Sequence, residues 1–193
     1  QHISRSCGRD TFAYTTDVTR RQDVNRLRDE AIRTFDHVDV WINNAGRGIT
    51  QSVLDLTDQD MDEMMAVNYK SAVYGMQAIL PHFLEKGSGH VINVSSGLGR
   101  LPFSTQRSAY SAAKSALNNI TTSARLEIKR QNPNINISLV IPGPVDTEFA
   151  QNSLHSTGGM AGMINVQTVS EVADAIIQCI DQPKAEVYTN PSV

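Results

Sequence analysis

Apolar strand patterns and amphipathic helix patterns alternate along this 193-residue chain, and that alternation constrains its fold more than any other feature. Parallel strands need a crossover connection between them, which usually holds a helix, so such alternation is typical of a parallel sheet covered by helices. Strands are predicted at residues 11–16, 38–42, 90–95, 135–141 and 185–189. The sequence therefore predicts one α/β domain over residues 1–193, built on a doubly wound parallel sheet.

The helix patterns fill the spaces between these strands. Apolar residues at helical spacing predict helices over residues 23–35, 57–85, 108–131 and 170–181. Thr57 with Asp60 three residues later is a helix-start signature, and Ser170 is the expected cap of the last helix. Residues 142–168 form a long connection, and connections of that length commonly carry function.

Composition and charge exclude several function classes. The net charge is −3 with dispersed Lys and Arg, so no basic footprint for nucleic acid is present. No run reaches the roughly 18 apolar residues that span a bilayer, so no membrane segment is predicted. The two cysteines, Cys7 and Cys179, make neither a disulfide framework nor a zinc site, and the five His lack metal-ligand spacing. These features predict a protein of the reducing cytoplasm without a bound metal.

Tyr110 and Lys114 are the most informative pair in the sequence. Residues four apart lie on the same face of a helix, which can bring an ammonium close to a phenol. A nearby cation lowers the pKa of a phenol toward the range in which it transfers protons at neutral pH. Ser96, after a predicted strand, adds a hydroxyl that could hold a substrate oxygen. By itself, Tyr-x-x-x-Lys is more often a solvated surface pair.

Three further motifs accompany that pair. An apolar strand ends in the turn at residues 43–46, Asn68 lies in a predicted helix, and residues 141–147 read Ile-Pro-Gly-Pro-Val-Asp-Thr. In this order and spacing, the four motifs resemble the short-chain dehydrogenase/reductase family, from about Gly8 to Pro191. The resemblance implies a Rossmann-type fold that binds NAD or NADP. It also implies hydride transfer between that cofactor and a small-molecule carbonyl or secondary alcohol.

The resemblance assigns catalytic roles to four residues. Tyr110 would be the general acid/base, and Lys114 would lower its pKa and hold the nicotinamide ribose. Ser96 would bind the substrate oxygen, because Gly99 follows it at the family's spacing, while Ser95 would be a strand-end residue bonded to backbone. Asn68 would hold a water molecule that relays protons from the lysine. The alternative for Asn68 is a structural residue that bends its helix.

The resemblance also assigns cofactor contacts. Asp17 and Val18 would contact the adenine, although Asp17 could instead cap a strand. The turn at residues 43–46 would line the adenosine ribose and brace the sheet, and the residues after Ile141 would meet the nicotinamide. The full set is Asp17, Val18, Asn43, Asn44, Ala45, Gly46, Tyr110, Lys114, Pro142, Gly143, Val145 and Thr147. The choice between NAD and NADP is not readable, because the strand end that decides it is absent.

One departure from the family pattern concerns the start of the chain. Neither Gly-x-x-x-Gly-x-Gly nor Gly-x-Gly-x-x-Gly occurs anywhere in the sequence. We therefore expect a missing β-α-β unit of roughly 30 residues and a protein longer than this chain. The alternative is a shortened, non-catalytic binding or regulatory protein that has lost the cofactor.

Two further expectations follow from the resemblance. Relatives form homodimers or homotetramers through helices that correspond to residues 57–85 and 108–131. An isomerase or dehydratase on the same scaffold is also compatible with these catalytic residues.

Overall fold

The core of the protein is a four-stranded parallel sheet, as seen in a computed structural model that describes residues 10–102, 104–156 and 165–190. Its strands follow one another in space in the order β1-β2-β3-β4. They are β1 (Val40–Asn43), β2 (Gly89–Val94), β3 (Ile135–Ile141) and β4 (Glu186–Tyr188). All three pairings are parallel, which confirms the predicted α/β class.

Helices connect and flank these strands. They are α1 (Arg21–Phe35), α2 (Asp58–Met65), α3 (Ser71–Lys86), α4 (Ser108–Gln131) and α5 (Val169–Asp181). The helix predicted over residues 57–85 is therefore two helices, joined by a π-helical turn at Ala66–Lys70. Such single wide turns often lie at functional sites, and this one contains Asn68.

Two of the helices begin at reciprocal caps. In α2 the Asp60 amide donates to Thr57 Oγ1 at 3.1 Å, and the Thr57 amide donates to Asp60 Oδ2 at 3.1 Å, as predicted. The prediction of Ser170 as the cap of α5 is wrong. Thr168 is the cap instead. Its hydroxyl accepts a hydrogen bond from the Glu171 amide, and the Glu171 carboxylate accepts one from the Thr168 amide.

The strand predicted at residues 11–16 is not formed. These residues have no regular secondary structure, and most of them are exposed. A strand requires backbone hydrogen bonds to a neighbour, and within the described parts of the chain no strand lies alongside this segment. The apolar pattern therefore identified a segment able to pair, but pairing itself depends on a partner.

The main hydrophobic core lies between α3, α4 and the two central strands. Its buried members are Met76, Ile79, Phe83, Val91, Ile128, Ile135 and Ile137. Gly89 permits this packing, since a Cβ there would lie 2.2 Å from the Phe83 ring. Cys179 is a buried free thiol, whereas Cys7 lies outside the described residues. Within the described ranges, no helix is both long and apolar enough to cross a membrane.

Candidate active site

Three of the segments that hold predicted site residues follow the carboxyl ends of strands. These strand ends lie together at one end of the sheet, called its carboxyl edge below. Because the strands are parallel, the turns after Asn43, Val94 and Ile141 meet there. Backbone bonds join two of these turns: the Ser95 amide donates to Val140 O at 2.8 Å, and the Gly97 amide donates to Pro142 O at 2.9 Å. The edge is where ligands bind in sheets of this class.

Tyr110 lies in the first turn of α4, at this edge, with only 6% of its surface exposed. Burial raises the pKa of its phenol, and this effect exceeds the lowering by a hydrogen bond with Ser96 and by the positive charge of Arg107. The net direction is opposite to the shift predicted from the Lys114 ammonium. Desolvation dominates because the phenolate would have to form in an environment that excludes water.

Lys114 lies one turn further along α4 and is equally buried. Its Nζ donates to Val94 O at 2.9 Å and lies 5.9 Å from the centre of the Tyr110 ring. Burial lowers the pKa of Lys114 from 10.5 to about 8. The alternative of a solvated surface pair is therefore wrong for Tyr110 and Lys114, since neither side chain faces bulk water.

The two serines at the end of β2 have different surroundings. Ser95 is buried. Its amide makes a backbone bond with Val140 O, as expected for a strand-end residue, and its hydroxyl donates to Asn118 Oδ1 at 2.6 Å. Ser96 accepts a bond from the Leu98 amide at 3.2 Å and lies within reach of Tyr110. Of the two, Ser96 is the hydroxyl that meets the phenol.

Asn68 is tied to the loop that follows β1. Its amide nitrogen donates to Arg47 O at 2.8 Å and to Met64 O at 3.2 Å, and its oxygen accepts from the Arg47 amide at 3.1 Å. A Cβ on Gly46 would lie 3.0 Å from Asn68 Oδ1 and 3.6 Å from Lys114 Nζ. Asn68 thus braces this loop beside Lys114. Its place in the π-helical turn fits the helix-bending alternative, while the proton relay stays a prediction.

Most, but not all, of the residues predicted to contact the adenosine half of the cofactor line the same pocket. Val18, Asn43, Asn44 and Ala45 line one pocket beside the edge of β1. Asp17 is exposed, and its carboxylate accepts from the amide and hydroxyl of Thr19 at 2.9 and 2.6 Å, so it shapes its own turn.

Asn43 braces the sheet with both ends of its amide. Its nitrogen donates to Asn93 Oδ1 at 2.7 Å, and its oxygen accepts from Trp41 Nε1 at 2.8 Å. This bracing was one of the two roles predicted for the turn at residues 43–46. The other role, contact with a nucleotide ribose, stays a prediction for the turn.

The remaining residues that were predicted to contact the cofactor lie in the segment after β3. Pro142 is buried and Gly143 is half-buried at the strand end. Val145 pairs with Gln167 in an isolated parallel bridge, which fixes the two ends of the long connection to each other. Thr147 is exposed, and its hydroxyl accepts from the Phe149 amide at 3.3 Å.

Two residues at this edge were missed by the sequence reasoning. Asn118 follows Tyr110 and Lys114 at four-residue steps, and this polar stripe on a helix is a signal that could have identified it. Phe149 packs edge-on against the Tyr110 ring, with 5.7 Å between ring centres. Nothing in the sequence pattern marks Phe149, because the contact depends on how a loop folds back.

Metal chemistry was not predicted for this chain. Within the parts that the structure describes, no group of three or more His, Cys, Asp or Glu side chains is arranged to hold a metal ion.

Sequence comparison decides the family. The sequence model of the short chain dehydrogenase family matches residues 1–158. The chain belongs to the short-chain dehydrogenase family. The resemblance found in the motifs is thereby confirmed.

Individual relatives agree with this assignment. The chain is 32% identical over 184 residues to YxnA, an uncharacterised oxidoreductase of Bacillus subtilis, covering 94% of this chain and 51% of that protein. It is 32% identical over 180 residues to the dehydrogenase/reductase SDR family protein 7-like of Drosophila melanogaster, covering 90% of the chain and 54% of the relative. The chain thus spans about half the length of these two relatives.

Solved structures show the same fold. A short chain dehydrogenase/reductase from Burkholderia phymatum, in complex with NAD, superposes with a TM-score of 0.88 at 21% identity, covering 99% of this chain and 75% of that one. A short chain dehydrogenase from Burkholderia cenocepacia, in complex with NADP, gives a TM-score of 0.78 at 28% identity, covering 93% and 71%. These structures confirm the Rossmann-type, doubly wound parallel sheet.

Proposed function

We propose that this protein is an oxidoreductase that transfers hydride between NAD or NADP and a carbonyl or secondary alcohol, with Tyr110 as the general acid/base. The observation that carries the proposal is the convergence of Tyr110, Ser96 and Lys114 at the carboxyl edge of the sheet. Membership of the short-chain dehydrogenase family supports the same proposal, as does similarity to YxnA, which is named an oxidoreductase.

The protein's own part in the reaction is proton transfer and orientation. Ser96 would donate a hydrogen bond to the substrate oxygen and oppose the charge that develops on it. Tyr110 would give its phenolic proton to that oxygen in reduction and take it back in oxidation. Burial raises the pKa of Tyr110, so the phenol holds its proton in the free site, and the transfer step would depend on the nearby Lys114 ammonium to favour the phenolate.

Lys114 would supply the charge that makes the reverse step possible. Its ammonium lies close enough to the Tyr110 ring to favour a phenolate once one forms. The pKa of Lys114, lowered to about 8 by burial, also lets it pass a proton near neutral pH. Asn68, bound to the Arg47 backbone beside this site, would hold the water through which protons reach solvent.

The residues present fit a dinucleotide at this edge. Gly46 has no side chain where a Cβ would crowd Asn68 and approach Lys114, which leaves bare backbone facing the lysine. Asn44, Ala45 and Val18 would hold the adenosine half, and Pro142, Gly143, Val145 and Thr147 the nicotinamide half. The nicotinamide ring, when bound, supplies or accepts the hydride.

The test combines turnover with cofactor binding. NADH and NADPH oxidation would be followed with a panel of ketones and aldehydes for the wild type, for Tyr110→Phe and for the control Tyr188→Phe. We expect Tyr110→Phe to lose at least about 100-fold in kcat, as removal of an acid/base group does, and Tyr188→Phe to stay active. The thermal shift produced by the nucleotide should survive in both variants.

Two results would contradict the proposal in different ways. Substantial turnover by Tyr110→Phe would remove this residue from the acid/base role. The non-catalytic binding or regulatory alternative would be favoured if the wild type melts at the same temperature with and without either nucleotide, both as this chain and as a version extended upstream. The proposed cytoplasmic location and the homodimer or homotetramer are separate predictions that this assay does not address.

A further inference from the structure

Phe149 covers the residue that the proposed reaction depends on. Its ring meets the Tyr110 ring edge-on, with 5.7 Å between centres and 62° between planes. Ile49 is a buried member of the same apolar cluster, and Leu98 and Leu154 pack against that cluster. The phenol thus has apolar side chains on the side where Phe149 lies and polar groups on the side of Ser96.

A specific backbone contact places Phe149 there. The Leu154 amide donates to Gly48 O at 2.9 Å, and the Thr50 amide donates to Leu154 O at 2.9 Å, so the segment that follows Phe149 pairs with the loop after β1. Ser153 strengthens the arrangement, because its hydroxyl donates to Phe149 O at 2.9 Å. The position of Phe149 therefore depends on these backbone contacts as well as on the contact between its ring and Tyr110.

Gly48 makes the close approach possible. A Cβ at this position would lie 2.3 Å from Ser153 Oγ and 3.0 Å from Phe149 Cε1, distances at which the segment would have to shift. The Arg47 side chain adds a tether, since its Nε donates to Asn152 O at 3.1 Å. The position of the Phe149 ring beside Tyr110 thus depends on Gly48, which lies in a different loop and has no side chain.

We propose that Phe149 is a specificity-determining residue, which forms the apolar wall beside Tyr110 and limits the bulk of the substituents on the substrate carbonyl, and that Gly48 is its positioning residue. The inference rests on the proposed function. A carbonyl that bonds to Tyr110 and Ser96 must turn one substituent toward this wall. A small substituent such as a methyl or ethyl group fits beside the Phe149 ring, whereas a substituent as large as a phenyl group requires the ring to move.

The first experiment measures selectivity. With saturating cofactor, kcat/KM would be compared for 2-butanone and acetophenone in the wild type, Phe149→Ala, Phe149→Leu and the control Phe35→Ala, whose ring is exposed on α1. We expect Phe149→Ala to shift the ratio toward acetophenone by about 10-fold, mainly through KM. Phe149→Leu should fall between, and Phe35→Ala should match the wild type.

The second experiment measures shielding without turnover. Tetranitromethane nitrates accessible tyrosines, and peptide mass spectrometry gives the rate at Tyr110 relative to Tyr188, which is 46% exposed. We expect Tyr110 to be protected in the wild type, and its relative rate to rise several-fold in Phe149→Ala. Gly48→Ala, which displaces the ring without removing it, should shift both selectivity and nitration in the same direction as Phe149→Ala.

The outcomes separate this inference from the function on which it rests. A wild-type enzyme that turns over ketones while Phe149→Ala changes neither the selectivity nor the nitration ratio would overturn the role of Phe149 alone. Failure of the wild type to reduce any ketone or aldehyde would overturn the proposed function and, with it, the specificity role. Shifts in Phe149→Ala without shifts in Gly48→Ala would remove Gly48 as the positioning residue.

Discussion

Strands β1 and β2 are neighbours in the sheet, yet they lie in contrasting environments. Ile42 of β1 pairs in register with Ile92 of β2, but Ile42 is 42% exposed and Ile92 is 0% exposed. Tyr110 and Lys114 belong to the buried side of this contrast, while Val18 and Asp17 belong to the open side. The residues proposed for proton transfer are thus enclosed by the described fold, and those proposed for the adenosine half lie beside β1, the outer strand of the described sheet.

The difference shows that an apolar residue contributes to stability only as far as the fold covers it. The chemistry follows the same division. Tyr110 and Lys114 have shifted pKa values because burial excludes water from them. The pKa of the exposed Asp17 is instead lowered by hydrogen bonds from Thr19. Four predictions test this contrast, from the largest expected effect to the smallest.

The largest effect is expected for Ile92→Ala. Truncating this fully buried side chain should lower the free energy of unfolding by about 2–5 kcal/mol, since it leaves a cavity between packed layers. Ile42→Ala, the register partner, is the matched control and should cost less than about 1 kcal/mol. Denaturant titration of both variants measures the two values. Equal costs would mean that the β1 edge is covered in solution as fully as β2.

The next effect concerns the buried polar network around Asn118 of α4. Asn118→Ala would leave the buried Ser95 hydroxyl without its acceptor and would remove one of the two hydrogen bonds to the Gly99 carbonyl, which keeps the bond from Ser115 Oγ, at a cost of about 2–3 kcal/mol. Asn119→Ala is the control, because that exposed amide bonds only the Ser115 carbonyl of its own helix. A thermal melt that ranks the two variants equally would contradict the importance of this network.

A pH effect of intermediate size is expected from Lys114. Its folded-state pKa of about 8 lies below its ordinary value of 10.5, so between these values the unfolded chain binds more protons. The free energy of unfolding should therefore rise with pH, by about 2 kcal/mol more in the wild type than in Lys114→Met between pH 8 and pH 10. Above pH 10 the raised pKa of Tyr110 acts in the opposite direction, because the unfolded chain then loses phenolic protons first.

Unfolding free energies at several pH values check this slope. Lys129→Met, at an exposed position of the same helix, should keep the wild-type pH dependence. An identical slope for Lys114→Met and the wild type would show that Lys114 is hydrated in solution, contrary to its burial here.

The smallest effect is expected at the start of α5. Thr168→Ala should cost about 1 kcal/mol, because the capping hydroxyl of Thr168 accepts from the Glu171 amide. Ser170→Ala, at the residue that the sequence pattern favoured as the cap, should change the free energy of unfolding by less than half of that. The reverse ranking in chemical denaturation would restore Ser170 as the cap.

Local patterns in the sequence were sufficient for several features of the fold. Alternating strands and helices fixed a parallel sheet, and the Thr57 and Asp60 spacing identified a cap, because both signals depend on residues close together in the chain. The strand predicted at residues 11–16 failed for the opposite reason, since a strand depends on a partner elsewhere.

For the site, the sequence by itself determined which residue types stand at the strand ends, and thereby the family. Tertiary structure alone decided their environment. It buried Tyr110 so that its pKa rises where the Lys114 spacing had predicted a fall, and it tied Asn43 to Asn93 as a brace. It also brought Phe149 onto Tyr110. Desolvation and contacts between distant loops depend on how all the layers pack, and no local pattern encodes them.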